Sequence, residues 1–397
     1  MRKGRESMKR VLIHMGDPYL IDNPCTKRVR AFKEALKEYG FEVVIMAPSI
    51  KGIEKDTEVT YCLTVPLKKK NAFYRLANGL SFAVSSVCNL RKAGKIDIVL
   101  TTTPPALISM AGYVMAKIKH AKLVYDVRDI WPDVALEMDE FTKDSVYYKI
   151  FRFIRDFMLR HADLVTAVSD GKVRRLKEYA PKKRIVKIPN GFDVHFLENP
   201  LNSELYKKIK GNGKFTCVYT GNLGLAQGLK QLLDIAMRAQ EEGMEAAFLL
   251  YGKGAEEQEL RAYVRKHRLA HVFFGGSLSN QDIYTVLKAA DISFVPLVNG
   301  NLKDSIPTKI YEALGIGCPV LLAAEGDAVS VLEESELGIA VSPNRTEELW
   351  DAYQRLYKNR KQMERLKSYA AKLMEEKYSI QRSARMLAEE FLGMCGE

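Results

Sequence analysis

Short apolar runs separated by longer, more polar periodic stretches recur along the whole chain. Residues 11–16, 41–47, 96–103 and 123–127 are dominated by Val, Ile, Leu and Phe with little alternation. That is the pattern of strands buried on both faces. Weaker runs at 59–66, 163–169 and 184–188 extend the series, and a helix beginning near Cys25 carries Lys27, Arg28 and Arg30. After the turn residues Pro189-Asn190-Gly191-Phe192-Asp193 the pattern restarts. Runs at 215–220, 248–252, 272–276, 292–297, 320–323 and 339–341 read as strands, and 349–377 and 378–392 as helical. Repeated strand–helix units predict parallel sheets with right-handed crossovers. With 397 residues, more than one ordinary core holds, the expectation is an α/β chain of two doubly wound, Rossmann-like domains.

Two helical stretches stand out. Residues 73–90 set Phe73, Leu76, Ala77, Leu80, Ala83, Val84 and Val87 near helical spacing, interrupted by Arg75, Asn78 and Ser81. Lys68, Lys69 and Lys70 precede this stretch, and Arg91 and Lys92 close it. It reads either as a core helix or as an interfacial helix whose basic collar docks on anionic lipid. Residues 147–160 alternate aromatics with Lys149, Arg152, Arg155 and Arg160. They predict an amphipathic helix whose basic face meets solvent, a membrane or phosphates.

Charge bears on the interfacial alternative. The net charge is +12, with 36 basic and 23 acidic residues in 1–200 but 25 and 26 in 201–397. The excess belongs to the first half, and suits nucleic acid, an anionic membrane or a phosphorylated substrate. No zinc-finger spacing, RNP-like run or basic zipper is present, so nucleic acid is not expected. The six cysteines are scattered with no Cys-x-x-Cys pair, which suits a reduced cytosol. The apolar run at 11–13 is too short for a signal peptide and no span has the length of a membrane helix. The protein is expected in the cytoplasm, free or peripheral on the inner face of the membrane.

Candidate chemistry gathers where the runs end. Thr101-Thr102-Thr103-Pro104-Pro105 and Asp126-Val127-Arg128-Asp129-Ile130-Trp131-Pro132 follow two neighbouring runs, the crevice position of a doubly wound sheet. Asp126 and Asp129 read either as reactive carboxylates or as ion-pair and cap partners of Arg128. Asp-x-x-Asp is not the Asp-x-Asp of metal-dependent transferases, so no metal site is read. Gly221, Asn222, Gly224, Gln227 and Gly228 lie in a loop whose glycines let backbone N–H groups approach a phosphate or sugar. The densest stretch is 304–320. Pro307 falls where a first helical turn begins and Gly315 and Gly317 stop the helix. A helix N-terminus thus follows the run 292–297, with Lys309 in its first turn and Glu312 one turn on.

Asp304 and Glu312 stand eight apart, followed by Ala313-Leu-Gly-Ile-Gly-Cys-Pro-Val. This resembles the Glu-x7-Glu element of the retaining glycosyltransferases of family 4, with Asp in the first place. Ile306-Pro307-Thr308-Lys309 and Arg128-Asp129-x-Trp131-Pro132 look like the subgroup that builds capsule and O-antigen, including fucosamine-type transferases. The resemblance implies the GT-B arrangement: an acceptor-binding domain at 1–192, a nucleotide-sugar domain at 193–377, and a helix at 378–397 crossing back to the first. It implies that Glu312 holds the nucleotide ribose, that Asp304 faces the donor sugar, and that 274–277 hold the base through main chain. The family's loop Arg and Lys have Asn222 and Gln227 in their places, which leaves Lys309 as the main phosphate cation, helped by Arg128. Pro24-Cys25 stands where the family has a Gly-Gly pair near the 16–19 loop.

The donor set on this basis is Gly16, Asp17, Gly221, Asn222, Gln227, Gly252, Gly276, Ser277, Ile306, Pro307, Thr308, Lys309 and Glu312. The catalytic set is Lys309, Asp304, Arg128, Asp129 and Asp126. The implied reaction moves a sugar from a nucleotide diphosphate donor, a UDP-linked N-acetylated sugar favoured, to a saccharide or polyprenyl-diphosphate-linked acceptor. It proceeds with retention and needs neither metal nor cofactor. No carboxylate stands out as a nucleophile, and a same-face reaction in which the leaving phosphate takes the acceptor proton requires none. A GT-B-like nucleotide-sugar epimerase, turning over donor without acceptor, is the second reading.

Overall fold

The computed structural model describes residues 8–50, 56–66, 72–138, 142–211 and 213–396. The chain divides into two compact units, Met1–Asn190 with Ile380–Glu397, and Gly191–Ser379.

The first unit is built on a seven-stranded, all-parallel sheet. Its strands are β1 (Arg10–His14), β2 (Glu42–Pro48), β3 (Val59–Cys62), β4 (Ile98–Thr103), β5 (Lys122–Val127), β6 (Leu164–Ala167) and β7 (Ile185–Lys187). The order is β3-β2-β1-β4-β5-β6-β7, so the winding reverses between β1 and β4. The central strands have both faces buried, which is why their sequences run apolar without alternation. β3 ends earlier than its apolar run. Its continuation lies along the helix Ala72–Asn89 instead, where Ser85 Oγ and Ser81 Oγ accept from the Leu63 and Val65 amides at 2.8 and 2.9 Å.

The helix Pro24–Glu38 starts at Asn23, whose side chain accepts from the Cys25 and Thr26 amides in a capping box. It packs with the helix Ile380–Cys395, whose Ile380, Ala384, Leu387, Ala388 and Phe391 are buried in the same core as Val29, Phe32 and Leu36. Each Leu or Phe so buried contributes about 1.5–3 kcal/mol relative to exposure. This last helix therefore belongs to the first unit's core.

The helix Ala72–Asn89 does not bury the face its apolar spacing suggests. Phe82 and Ser86 are inside, while Leu76, Leu80 and Val84 are 40, 57 and 57% exposed. The reason is His14 of β1, fully buried, whose ring stacks on Phe82 at 5.1 Å and reaches Ser86 Oγ at 3.1 Å and Thr101 Oγ1 at 3.3 Å. The polar Ser86 turns inward to meet it. Lys68, Lys69 and Lys70 lie outside the described residues; Arg91 and Lys92 are exposed in a short 3₁₀ turn after the helix.

The second unit holds six parallel strands, β8 (Phe215–Thr220), β9 (Ala246–Tyr251), β10 (Val272–Gly276), β11 (Ile292–Pro296), β12 (Val320–Ala323) and β13 (Gly338–Val341). Their order is β10-β9-β8-β11-β12-β13, with the reversal between β8 and β11. The stretch 349–377, read as helical, forms two helices, Thr346–Lys358 and Arg360–Glu376, parted at Asn359. Gly315 does not end the helix Thr308–Ile316; Gly317 does, in the left-handed conformation. A Cβ on Gly315 would lie 2.5 Å from the Phe192 ring, so the missing side chain is where a buried aromatic packs.

Candidate functional site

In the second unit, the loops after β8 and β11 leave the sheet on either side of its winding reversal, where α/β sheets bind ligands. Pro307 is the N-cap of the helix Thr308–Ile316, extended at φ −60° and ψ 130°, one position earlier than expected, and no side chain caps it. The Ile310 N–H donates to Pro307 O at 3.1 Å, and the Thr308 and Lys309 N–H groups are left for other partners.

Lys309 extends from this first turn to the loop after β8. Its Nζ donates to Gln227 Oε1 at 2.9 Å and lies 4.9 Å from the centroid of the Tyr219 ring. Burial lowers its pKa from the ordinary 10.5 to about 8, against the opposing pull of Glu312. Tyr219, near the end of β8, donates through Oη to the Asn222 carbonyl at 2.6 Å and stands 3.3 Å from Gln227 Oε1. Gly221 lies directly under the lysine stem. Its φ is +137°, and a Cβ there would come 2.3 Å from Lys309 Cε. A Cβ on Gly252 would strike the Gly221 carbonyl oxygen at 1.7 Å. The loops close up main chain to main chain, with Gly221 N–H donating to Tyr251 O at 2.8 Å and Gly252 N–H to Gly276 O at 2.7 Å. Only glycine permits that approach.

Sequence reasoning placed Lys309, Gln227, Gly221 and Gly252 in one site, and the structure brings those four together. Glu312 follows Lys309 by three residues and is half-buried, whereas Asp304 is 6% exposed in the segment leading to the helix. Ile306 and Thr308 are half-buried beside Pro307, and Asn222 is exposed at the loop's bend. Gly276 ends β10 and Ser277 follows it, beyond β9 from Gly221. Tyr219 was missed. A polar-tipped side chain near the carboxyl end of an otherwise apolar run was the available signal.

In the first unit a second cluster forms at the carboxyl ends of β1, β4 and β5. Arg128 donates through Nε to Thr102 Oγ1 at 2.9 Å and through one terminal nitrogen to Pro104 O at 2.8 Å and Asp17 Oδ2 at 3.2 Å. Three acceptors fix its guanidinium, and Gly16 packs against Pro105 beside it. Asp126 is not the partner of Arg128. It is 1% exposed, pairs with Arg28 at 2.9 Å, and accepts from Thr166 Oγ1 at 2.7 Å. Burial pushes its carboxyl up, but Arg28 and Thr166 outweigh that and hold it below the usual range. Arg28 also donates to the Ile188 and Pro189 carbonyls, so the pair ties β5 to the segment after β7. Asp129 lies 3.7 Å from Lys172 Nζ.

Comparison with known proteins agrees with this division. Residues 26–196 match the family described as Glycosyltransferase Family 4, and residues 203–373 the family described as Glycosyl transferases group 1. The chain is 25% identical over 300 residues to the probable glycosyltransferase WbjE of Pseudomonas aeruginosa, covering 71% of this chain and 72% of that one. It is 25% identical over 297 residues to WcaI of Escherichia coli, a putative colanic acid biosynthesis glycosyl transferase, covering 70% of each. Among solved structures, sucrose-phosphate synthase of Thermosynechococcus elongatus superposes with a TM-score of 0.80 at 16% identity, over 98% of this chain and 100% of that one. Anabaena HepE, solved with UDP and glucose, gives 0.72 at 17%, over 96% and 99%.

Proposed function

Because this chain is a glycosyltransferase with the GT-B fold, we propose that its second unit holds a nucleotide diphosphate-sugar, with a UDP-linked N-acetylated sugar the favoured donor. The sugar goes to a saccharide or polyprenyl-diphosphate-linked acceptor in the synthesis of a bacterial surface polysaccharide. The reaction retains configuration and uses no metal. The observation that carries the reading is Lys309, whose ammonium stands at an uncapped helix N-terminus over glycine backbone at the winding reversal. A diphosphate there meets a cation and free N–H groups together. Glu312 accepts the ribose hydroxyls, and Asp304, one methylene shorter than Glu, faces the sugar.

In this reading the protein acts by position and charge. Lys309 and the helix N-terminus stabilise the departing diphosphate, which takes the proton of the acceptor hydroxyl as the new bond forms. Asp126 is committed to Arg28 and Thr166, so Arg128 and Asp17 are the groups of the first unit offered to an acceptor. The names of WbjE and WcaI support the polysaccharide assignment, and the UDP bound to HepE supports the donor class.

The first unit docks on the inner face of the cytoplasmic membrane. Support comes from the exposed stripe Leu76, Leu80 and Val84, flanked by Arg91 and Lys92. No described helix is long and apolar enough to cross a membrane.

The test is a thermal-shift screen against nucleoside diphosphates and their sugars, followed by product analysis with the best donor and a polyprenyl-diphosphate-linked saccharide. Stabilisation by one nucleotide series and an acceptor-dependent glycoside product are expected. Donor conversion without any transfer would remove the transferase assignment of this site.

A further inference from the structure

Gln227 occupies a place where it touches the main cation of the site yet brings no charge. Its conformation is built by the loop. The 3₁₀ turn Leu225–Gln227 ends at Gly228 in the left-handed conformation, and the Gln227 amide donates to Gly224 O at 3.0 Å. The side chain is thereby aimed at Lys309, and Oε1 accepts from Nζ at 2.9 Å with the Tyr219 hydroxyl 3.3 Å away. Below the ammonium lie the Tyr219 ring and Gly221. The long lysine stem, which otherwise has much rotamer freedom to lose, is thus confined before any ligand arrives.

We infer that Gln227 is a positioning residue for the diphosphate: it holds the Lys309 ammonium over Gly221 through a neutral acceptor, so that the second phosphate of the ligand meets a fixed cation whose hydrogen-bond partner carries no charge. This deepens the donor-site reading above and rests on it. A carboxylate at 227 would hold the lysine equally well, but would neutralise it and repel phosphate. An apolar residue would keep the volume and release the lysine. An amide does neither.

The experiment compares the diphosphate and monophosphate of one nucleoside by calorimetry on the full chain. Uridine comes first, then guanosine, adenosine and thymidine. The monophosphate lacks the group that Lys309 is held to meet, so the affinity ratio reads the cation alone. Gln227→Met, close in volume without an acceptor, is expected to lower diphosphate affinity about tenfold and leave monophosphate affinity within twofold. Gln227→Glu is expected to lower it at least as much. In a Lys309→Ala background, Gln227→Met is expected to have no further effect, because its action passes through the lysine. Should Met disturb the fold, Gln227→Asn has the same groups with shorter reach and gives the same test. An unchanged ratio in a folded Gln227→Met protein, or additive losses in the double variant, overturns the inference and leaves the donor site standing. Absence of wild-type binding to all four diphosphates overturns the site reading and the inference with it.

Discussion

Arg28 and Asp126, 98 residues apart in sequence, form an ion pair at 2.9 Å in the interior of the first unit, with side chains 1 and 2% exposed. Removing either partner strands a charge that water cannot reach, a change that typically costs 3–5 kcal/mol. Arg28→Ala should therefore lower the first unit's thermal transition sharply, while nucleotide binding by the second unit persists just below that transition. Differential scanning calorimetry with and without ligand checks both. A loss under about 1 kcal/mol would show the pair to be no more than a surface-like contact.

Lys309→Ala should reduce turnover on the order of 10²-fold, the scale of losing one preorganised charge-stabilising donor. Near-normal turnover in a folded variant would exclude the role.

The same lysine makes pH informative, since its pKa is lowered to about 8. Facing Nζ are Glu312 on its own helix and Tyr219 on β8, a phenol that burial keeps neutral. The nearby Lys288 and Lys367 sit at the helix's far end, by Ile316 and Gly317. Nucleoside diphosphate affinity should fall as pH rises through about 8, and Lys309→Arg should flatten that decline. Stability responds oppositely: the unfolded chain binds the extra proton between about 8 and 10.5, so this group's contribution to the free protein rises over that window. Isothermal titrations across pH read the first effect and urea unfolding the second.

Glu312→Gln should weaken nucleotide binding and turnover together, because a charged acceptor of hydroxyl protons becomes a weaker amide. Calorimetry comparing a ribonucleotide with its 2′,3′-dideoxy analogue locates the effect. Equal losses for both ligands would move Glu312 off the ribose.

His14 is held neutral, its pKa lowered from 6.5 to about 3 by burial between Phe82, Ser86 and Thr101. The unfolded chain binds a proton there between pH 6.5 and 3, so stability from this group is complete above 6.5 and lost as pH falls through the window. The full span is on the order of 5 kcal/mol. His14→Gln should be less stable at pH 7 yet show a shallower acid decline. Parallel melting curves for the two proteins from pH 7 to 4 would exclude His14 as the linked group.

Leu80→Gln with Val84→Gln should reduce binding to anionic vesicles without altering nucleotide affinity, as both side chains are exposed while Phe82 of the same helix is buried. Lys68/Lys69/Lys70→Ser should shift partitioning by about two orders of magnitude at roughly 1 kcal/mol per basic residue. Co-sedimentation with anionic and neutral vesicles distinguishes the apolar and electrostatic parts. Failure of the wild type to bind either would place the acceptor in solution.

What the sequence revealed was whatever local pattern controls. Buried parallel strands read as unbroken apolar runs, and helix starts and stops read from Pro307 and Gly317, so both sheets and the location of Lys309 were legible. Long-range partners were not. Asp126 sits two residues from Arg128 but meets Arg28, because β5 presents it to the helix Pro24–Glu38. Tyr219 read as one more strand residue until the fold put Lys309 over its ring. The apolar spacing of 73–90 fitted a core helix and an interfacial one alike; the buried imidazole of His14 draws Ser86 inward and leaves Leu76, Leu80 and Val84 to solvent.

The helix Ile380–Cys395 has a consequence for biosynthesis. Its Leu387 and Phe391 complete a core begun by residues near the start of the chain, so the first unit to be translated is the last that can finish. About 190 residues of the second unit leave the ribosome in between, a wait of roughly 10–40 s at ordinary elongation rates. Throughout it, Val29, Phe32 and Leu36 lack the part of their cover that Leu387 and Phe391 supply. Nascent first unit should thus be a client for holding chaperones, and stalling synthesis before residue 380 should leave it protease-sensitive while the second unit is already resistant.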